Sequence, residues 1–439
     1  MPRKSAPGST LPSTRRRPGV AVALAVPTLL AASPSGANAQ APALPAGFET
    51  AWAEVRDDWR SAVEEAGIVG STLAFVKDGR IVRRAHHGME NLAEGRPVDA
   101  GTLYHWASIT KTFTAVALMQ LVERGMVALD DPAVAYVPEL AGVHDPFGPV
   151  GAITLEHLLS HSAGFRASTW PWGGDEPWHP WEPTEWSQLV AMMPYTEVLF
   201  EPGSRFSYSN PGIIFLGRTL EAVTGDVYES YVEKNVLRPL AMRTAYFDVT
   251  PWRLRDDRSE NYRVVEGKPV ANGDFNTGIT VSNGGLNATV DDLARWLAFL
   301  SGHTPDGADP AEAAGVLSRK TLREMWEPRV SMGPVADEQG GIGQERMGLS
   351  FFLYDTADGA RVVGHTGSQR SFFSFIYLDP ATGAGAVAAF NTAGGDDTGP
   401  DTRAVLNRVR ARVFHDLLPL FRDGAAGGPA APDPEGGPG

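Results

Sequence analysis

The sequence predicts an α/β protein of the α+β kind, in which an antiparallel β-sheet is flanked by helices and an all-α region is inserted into the chain. Two observations carry this. β-favouring segments lie near both ends of the chain, at 70–85 and 347–391, and the stretch between them is helical and loop-rich. Strands close in sequence and joined by turn residues pair antiparallel, as in a meander. A hydrophobic fraction of 43% and a charged fraction of 21% are those of an ordinary globular chain. At 439 residues it is long enough for one large core or two closely packed ones.

The first 39 residues stand apart. A basic cluster, Arg15, Arg16 and Arg17, precedes an apolar run at 19–32, and Ala37-Asn38-Ala39 offers a small-x-small cleavage site before Gln40. These read as a secretory signal peptide over 1–39. The apolar run is too short to favour the competing reading, a membrane anchor. The expectation is an exported protein, periplasmic or secreted, with no stable membrane span after cleavage. The arginine pair at Arg15-Arg16 leaves the export route open, because arginine runs are common in such leaders. The chain contains no cysteine, which excludes a lipoprotein anchor, disulfides, thiol catalysis and thiolate metal sites. The formal charge is −14, and removing the leader takes away five basic residues and no acidic ones. So acidic a chain is repelled by phosphate backbones, and no nucleic-acid partner is expected.

The remaining elements follow in order. Residues 40–415 read as one domain, with an α/β part over about 50–125 and 280–415 and a helical part over about 126–279. Helical spacing marks 51–66. Strands at 70–76 and 80–85 flank Asp78-Gly79, a hairpin signal. A helix runs from Ser108 to Arg124 and stops at Gly125. Residues 211–224 place Ile213, Ile214, Leu216, Leu220 and Val223 broadly on one face before Gly225. A helix over 289–301 has Thr289 as its N-cap and Asp291 and Asp292 in its first turn. Strands are expected at 347–354, 361–365, 371–378 and 384–391. The Gly/Pro/Ala-rich stretch 424–439 is expected to be a disordered tail.

Three short segments carry candidate chemistry. In Ser108-Ile109-Thr110-Lys111 the i, i+3 spacing puts hydroxyl and amine on one helix face. A serine hydroxyl needs a neighbour to take its proton, and lysine does this only when neutral, a form favoured by desolvation and by a nearby helix N-terminus. The bland alternative is a capping serine beside a solvated lysine. In Tyr208-Ser209-Asn210, just before a helix, the phenol suits proton transfer and the amide suits a substrate carbonyl; the alternative is a turn capped by Asn210. In His365-Thr366-Gly367-Ser368, between two strand-like segments, a backbone N–H beside the glycine is placed to help hold an oxyanion; the alternative is a loop histidine.

Taken together, in this order, the three segments resemble the boxes of the serine β-lactamase and penicillin-binding-protein superfamily: Ser-x-x-Lys, then Tyr-x-Asn or Ser-x-Asn, then Lys/His-Thr/Ser-Gly. The tyrosine form of the second box and the histidine of the third look like its class C β-lactamase, D,D-carboxypeptidase and esterase branch. Leu158-Leu159-Ser160-His161-Ser162-Ala163-Gly164-Phe165, Pro239-Leu240-Ala241-Met242, Gly284-Gly285-Leu286 and Asp291-Asp292-Leu293-Ala294 extend the similarity over about 50–415. The resemblance implies a β-lactamase/transpeptidase-like fold with the site in a cleft between the sheet part and the helical part. It also implies roles. Ser108 is acylated, Lys111 and Tyr208 share the proton traffic, and Asn210 orients the substrate. His365, Thr366, Gly367 and Ser368 line the strand side, with the N–H groups of Ser108 and Ser368 as oxyanion donors. No cofactor and no metal are expected. Substrates are small esters, D-amino-acid peptides, cell-wall peptides among them, or β-lactams. Histidine at 365, where many relatives have lysine, weakens carboxylate recognition or makes it pH-dependent, which favours an esterase or amidase over a β-lactamase.

Other readings fit less well. His157 and His161 are spaced i, i+4, but the His-Glu-x-x-His pattern of a zinc helix is absent, and His86-His87 lies on a strand where neighbours face opposite ways. These histidines are read as structural. No Gly-x-Ser-x-Gly elbow occurs. A catalytically silent penicillin-binding or sensor domain is the main non-enzyme reading. The segment from Trp170 to Trp186, with five of the 11 tryptophans, reads equally as an aromatic wall on the pocket or as a loop packed down by its own rings.

Overall fold

A computed structural model describes residues 42–167, 183–334, 342–394 and 399–423. The segment 1–39 read as a signal peptide, the stretch 424–439 read as a disordered tail and most of the Trp-rich segment lie outside the described residues. Among the described residues no helix is long and apolar enough to cross a membrane.

The centre is a nine-stranded, wholly antiparallel sheet. Its strands in chain order are β1 (Gly70–Lys77), β2 (Arg80–Asn91), β3 (Arg96–Pro97), β4 (Val330–Gly333), β5 (Ile342–Met347), β6 (Phe352–Thr356), β7 (Arg361–Gln369), β8 (Phe372–Asp379) and β9 (Ala384–Phe390). Across the sheet the order is β3-β2-β1-β9-β8-β7-β6-β5-β4. The two ends of the chain meet where β1 pairs with β9, Ala74 opposite Val387 and Phe75 opposite Ala386. The expected mixed α/β class with an antiparallel sheet is the one observed.

Both sheet faces are covered, so the central strands are apolar almost throughout rather than alternating. Side chains still alternate between faces. Leu73 and Phe75 of β1 and Phe375 and Tyr377 of β8 join helices α1 (Phe48–Glu65) and, near the C-terminus, α5 (Thr402–Arg412) through Trp52, Val55, Trp59, Val405 and Val409. Ala74, Val76, Ile376 and Val387 face the other layer, which holds α2 (Thr110–Glu123), α3 (Asn210–Thr224) and α4 (Val290–Ser301). Helix α2 is buried from Thr110 to Leu121 on every side, so it has no solvent face to mark it as amphipathic. Its Phe113 stacks on Trp296 of α4, with ring centroids 3.9 Å apart. Helix α4 begins as expected, with Thr289 accepting the Asp292 N–H at 3.3 Å.

Four elements differ from expectation, each through a contact remote in sequence or a special backbone angle. The strand expected at 347–354 is two strands, β5 and β6, divided at Ser350, which takes φ +59°. The strand expected at 361–365 continues to Gln369 because β8 pairs with it as far as Gln369–Phe372, so the third box lies on a strand, not between two. The helix expected from Ser108 starts at Thr110, after a 3₁₀ turn, Ala107–Ile109. The inserted region is not purely helical. Tyr246–Phe247 pairs with Leu286–Thr289, which also pairs with Leu103–His105. The hairpin of Tyr262–Val265 and Lys268–Ala271 adds to Thr392–Gly394.

The Phe113–Trp296 stack ties the helix that carries Lys111 to a helix lying on the sheet. Trp296→Ala empties a fully buried site and is expected to cost about 3–5 kcal/mol, read as a lower urea midpoint at unchanged slope.

Candidate active site

Ser108 sits in the tight turn that leads β-structure into α2. Ala107, just before it, has φ +48°, an angle unfavourable for a residue with a Cβ, and such strain persists only where surrounding structure enforces it. Here the enforcement comes from packing: Ala107, Trp106 and Ile109 are buried, and Trp106 donates its indole N–H to the Ala288 carbonyl at 2.9 Å. The turn leaves Ser108 half-buried.

Lys111 lies one turn on, fully buried. Its Nζ is 3.0 Å from Ser108 Oγ, 2.8 Å from the Asn283 carbonyl oxygen and 5.0 Å from the centre of the Tyr208 ring. All three are neutral groups. Burial is what moves the amine, holding its pKa well below the ordinary lysine value. The arrangement favours an uncharged nitrogen beside a hydroxyl.

Tyr208 reaches the same place from the segment before α3. Burial raises its phenol pKa, and only the Ser108 hydroxyl offsets this, so the group is a phenol at neutral pH. Its ring stacks on His161 at 4.4 Å and on Phe352 at 6.4 Å, and lies 6.2 Å from His365. His365 is buried on β7, with Nδ1 donating to the Thr366 carbonyl oxygen at 2.6 Å. Burial, with a contribution from Lys111, pushes its pKa down to about 3. It is therefore neutral across the working range. Of the two expectations for this histidine, weakened carboxylate recognition agrees with that state, and a charge switch near neutrality does not.

Strand β7 has one open edge at the site. β6 pairs with it only through Gly364, while β8 follows it to Gln369. Over 365–369 no strand among the described residues takes the other edge, and the strand itself packs against the Ala107–Ile109 turn. Gly367 is needed there: a Cβ would lie 2.2 Å from the Trp106 carbonyl oxygen and 2.4 Å from Ser374 Oγ. Thr366 is half-buried and Ser368 exposed on this edge. Ser108, Lys111, Tyr208 and His365 are thus brought together, with Gly367 pressed against the turn.

Asn210 is not the cap of its helix. Ser209 caps α3 by accepting the Gly212 N–H, and Asn210 is its first residue. The Asn210 side-chain amide donates to the Ala167 carbonyl at 2.8 Å, and the Asn210 main-chain carbonyl accepts from Asn283 Nδ2 at 3.3 Å. Trp186, at the described end of the Trp-rich segment, packs edge-on to Phe215 and donates to Glu139.

Two participants were not identified from sequence. Asn283, whose carbonyl holds the amine, precedes the Gly284-Gly285 pair noted above. His161 was grouped with His157 as structural. His157 does stay in its helix cap, with Nδ1 accepting the Thr154 N–H at 3.3 Å, whereas His161 turns into the site at φ +54°. The Leu-Leu-Ser-His run was the available signal.

Residues 55–410 match the Beta-lactamase family. The chain belongs to that family. Esterase EstB of Burkholderia gladioli is 27% identical over 391 residues, 80% of this chain and 93% of the esterase. A putative D-alanyl-D-alanine carboxypeptidase of Escherichia coli (strain K12) is 31% identical over 243 residues, 50% of this chain and only 54% of that protein. The octameric penicillin-binding protein homologue from Pyrococcus abyssi superposes with a TM-score of 0.67 at 25% identity, over 85% of this chain and 80% of that one. The chain is a serine hydrolase of the Beta-lactamase family.

The close approach at Gly367 makes a prediction. Gly367→Ala must push β7 off the turn by more than an ångström, and the labelling rate with a fluorophosphonate is expected to fall roughly 100-fold, while circular dichroism still reports a folded chain.

Proposed function

We propose that this protein hydrolyses an ester or amide bond through an acyl-enzyme at Ser108, and that its substrates are esters or D-amino-acid peptides and amides. One observation carries the reading: a fully buried lysine amine 3.0 Å from a serine hydroxyl, surrounded by neutral groups. Ser108 Oγ attacks the substrate carbonyl as Lys111 Nζ takes its proton. The negative oxygen that forms is held by the N–H groups of Ser108 and Ser368, at the start of a helix and on the open edge of β7. Tyr208, kept protonated by burial, gives a proton to the leaving alcohol or amine and regains one from the Lys111 ammonium. Water then attacks the acyl group, its proton passing to the neutral lysine and from there to Ser108 Oγ as the acid leaves, which restores the hydroxyl and the neutral amine. Asn210 and Thr366 flank the substrate.

The neutral His365 favours ester and neutral amide substrates over those that need a fixed cation beside a carboxylate, the β-lactams among them. The EstB similarity points the same way, and the carboxypeptidase similarity supports the D-amino-acid peptide part of the reading. Export to the periplasm or medium belongs to this reading and rests on the leader-like segment 1–39.

A kcat/KM panel of p-nitrophenyl esters, a D-Ala-D-Ala peptide and nitrocefin tests it. Esters or the D-peptide are expected to turn over well above nitrocefin, and Ser108→Ala is expected to abolish both turnover and fluorophosphonate labelling. Labelling that survives in Ser108→Ala overturns the assignment, and a folded wild type that neither labels nor turns over any member points to a silent binder.

The pH dependence follows from the same groups. An amine whose pKa is held below the usual lysine value loses its proton at lower pH, so kcat/KM is expected to rise through one acid limb and level off below the normal lysine range. His365, neutral above about pH 3, adds no limb. His365→Gln is therefore expected to lower the profile without moving its midpoint; a limb that disappears in this variant shows that the imidazole titrates.

A further inference from the structure

His161 is a buried titratable group with no part in the chemistry proposed above, yet it makes three contacts with the segment carrying Tyr208. Its backbone carbonyl accepts the Ser207 N–H at 2.8 Å. Its ring Nδ1 accepts the Ser209 N–H at 3.0 Å. Its ring lies on the Tyr208 ring at 4.4 Å with the planes 26° apart. The residues on either side of the tyrosine are thus tied to one histidine, whose ring also covers the phenol ring. The backbone of His161 is itself set at φ +54°, a costly angle for a residue other than glycine, and one that aims main chain and side chain at the same segment.

We propose that His161 is a positioning residue for the Tyr208 phenol, holding it against Ser108 through the Ser207–Ser209 backbone and through ring stacking. The inference rests on the reading of Tyr208 as the proton donor. It requires the neutral ring with its proton on Nε2, because Nδ1 must accept from Ser209. Burial and the neighbouring Lys111 favour that neutral form. Without the clamp, the phenol keeps its chemistry but spends less time within reach of the reacting atoms. The loss then falls on kcat rather than on substrate binding.

The shapes of Asn and Gln separate this role from simple packing. An Asn Oδ1 occupies nearly the place of Nδ1 and can accept the Ser209 N–H, whereas a Gln amide ends near the place of Nε2 and cannot. With kcat normalised to sites titrated by a fluorophosphonate, His161→Gln is expected to lower kcat roughly 10- to 100-fold with KM within about twofold of wild type, and His161→Asn to recover most of the loss. Placing His161→Gln on Tyr208→Phe is expected to add little, because the clamp then has no phenol to hold. If the Gln variant does not fold, His161→Phe, which keeps the stacking ring and loses the acceptor, takes its place in the same cycle. Equal losses for Asn and Gln, or losses that multiply in the double variant, overturn the clamp while leaving the nucleophile assignment intact. Full activity in Tyr208→Phe alone removes the proton-donor reading, and the clamp with it.

Discussion

Everything at the site depends on burying one amine without a counter-charge. Lysine is among the residues least often found inside a protein, since desolvating an ammonium costs several kcal/mol even after relaxation. Burial pushes the Lys111 amine toward its uncharged form, which avoids much of that cost. The amine then needs only neutral partners, and it has them in the Ser108 hydroxyl, the Asn283 carbonyl and the face of Tyr208. A carboxylate in this position would hold the proton on the amine and end its use as a base. The fold is arranged to deny it one: α2 runs through the middle of a layer and is buried on all sides.

The same constraint explains why the surrounding backbone is rigid. Ser108 must lie beside the amine and also present itself to a substrate, so it occupies a tight turn rather than the helix proper, at the cost of φ +48° at Ala107. The turn is held from behind by the Trp106 indole and from the front by β7, whose Gly367 comes so close that no other residue fits. The open edge of β7 exists because β6 stops at Gly364. The positions of Ser108 and of the strand beside it are thus set by one contact between the turn and β7, and shifting either displaces both.

Much of this was legible in the sequence because it is local. The C-terminal strands announce themselves by β-favouring runs between turn residues, the helices by spacing and caps such as Thr289, and the chemistry by Ser108-x-x-Lys111, whose two members need only one helical turn to meet. What was not legible depends on distant partners or on backbone angles. The Tyr262–Val265 strand exists because it finds Thr392–Gly394, some 130 residues away in the chain. The break at Ser350 needs a left-handed residue that composition does not mark. His157 and His161 look equivalent by spacing, and only the end of their short helix separates them, leaving one in a cap and turning the other toward Ser209 and Tyr208.

The histidine in the third box shows how charge is rationed at this site. Lys111, His161 and His365 are three basic groups around one tyrosine ring, and each is fully buried. Burial lowers the pKa of all three, and a proton on the lysine lowers the two histidines further. The resting site therefore carries little positive charge, and the one proton that must appear during acylation, on Lys111, appears without like-charge repulsion from its neighbours. A permanent lysine cation at 365 would hold a substrate carboxylate, but it would also disfavour a second positive charge on Lys111. With a neutral imidazole there, the site gives up that electrostatic handle, and in the proposed mechanism the developing anion is met by backbone dipoles and by the lysine once it has taken the serine proton. Substrate choice then rests on shape and on neutral hydrogen bonds more than on charge, which is the regime of ester and amide hydrolysis rather than of carboxylate-anchored binding.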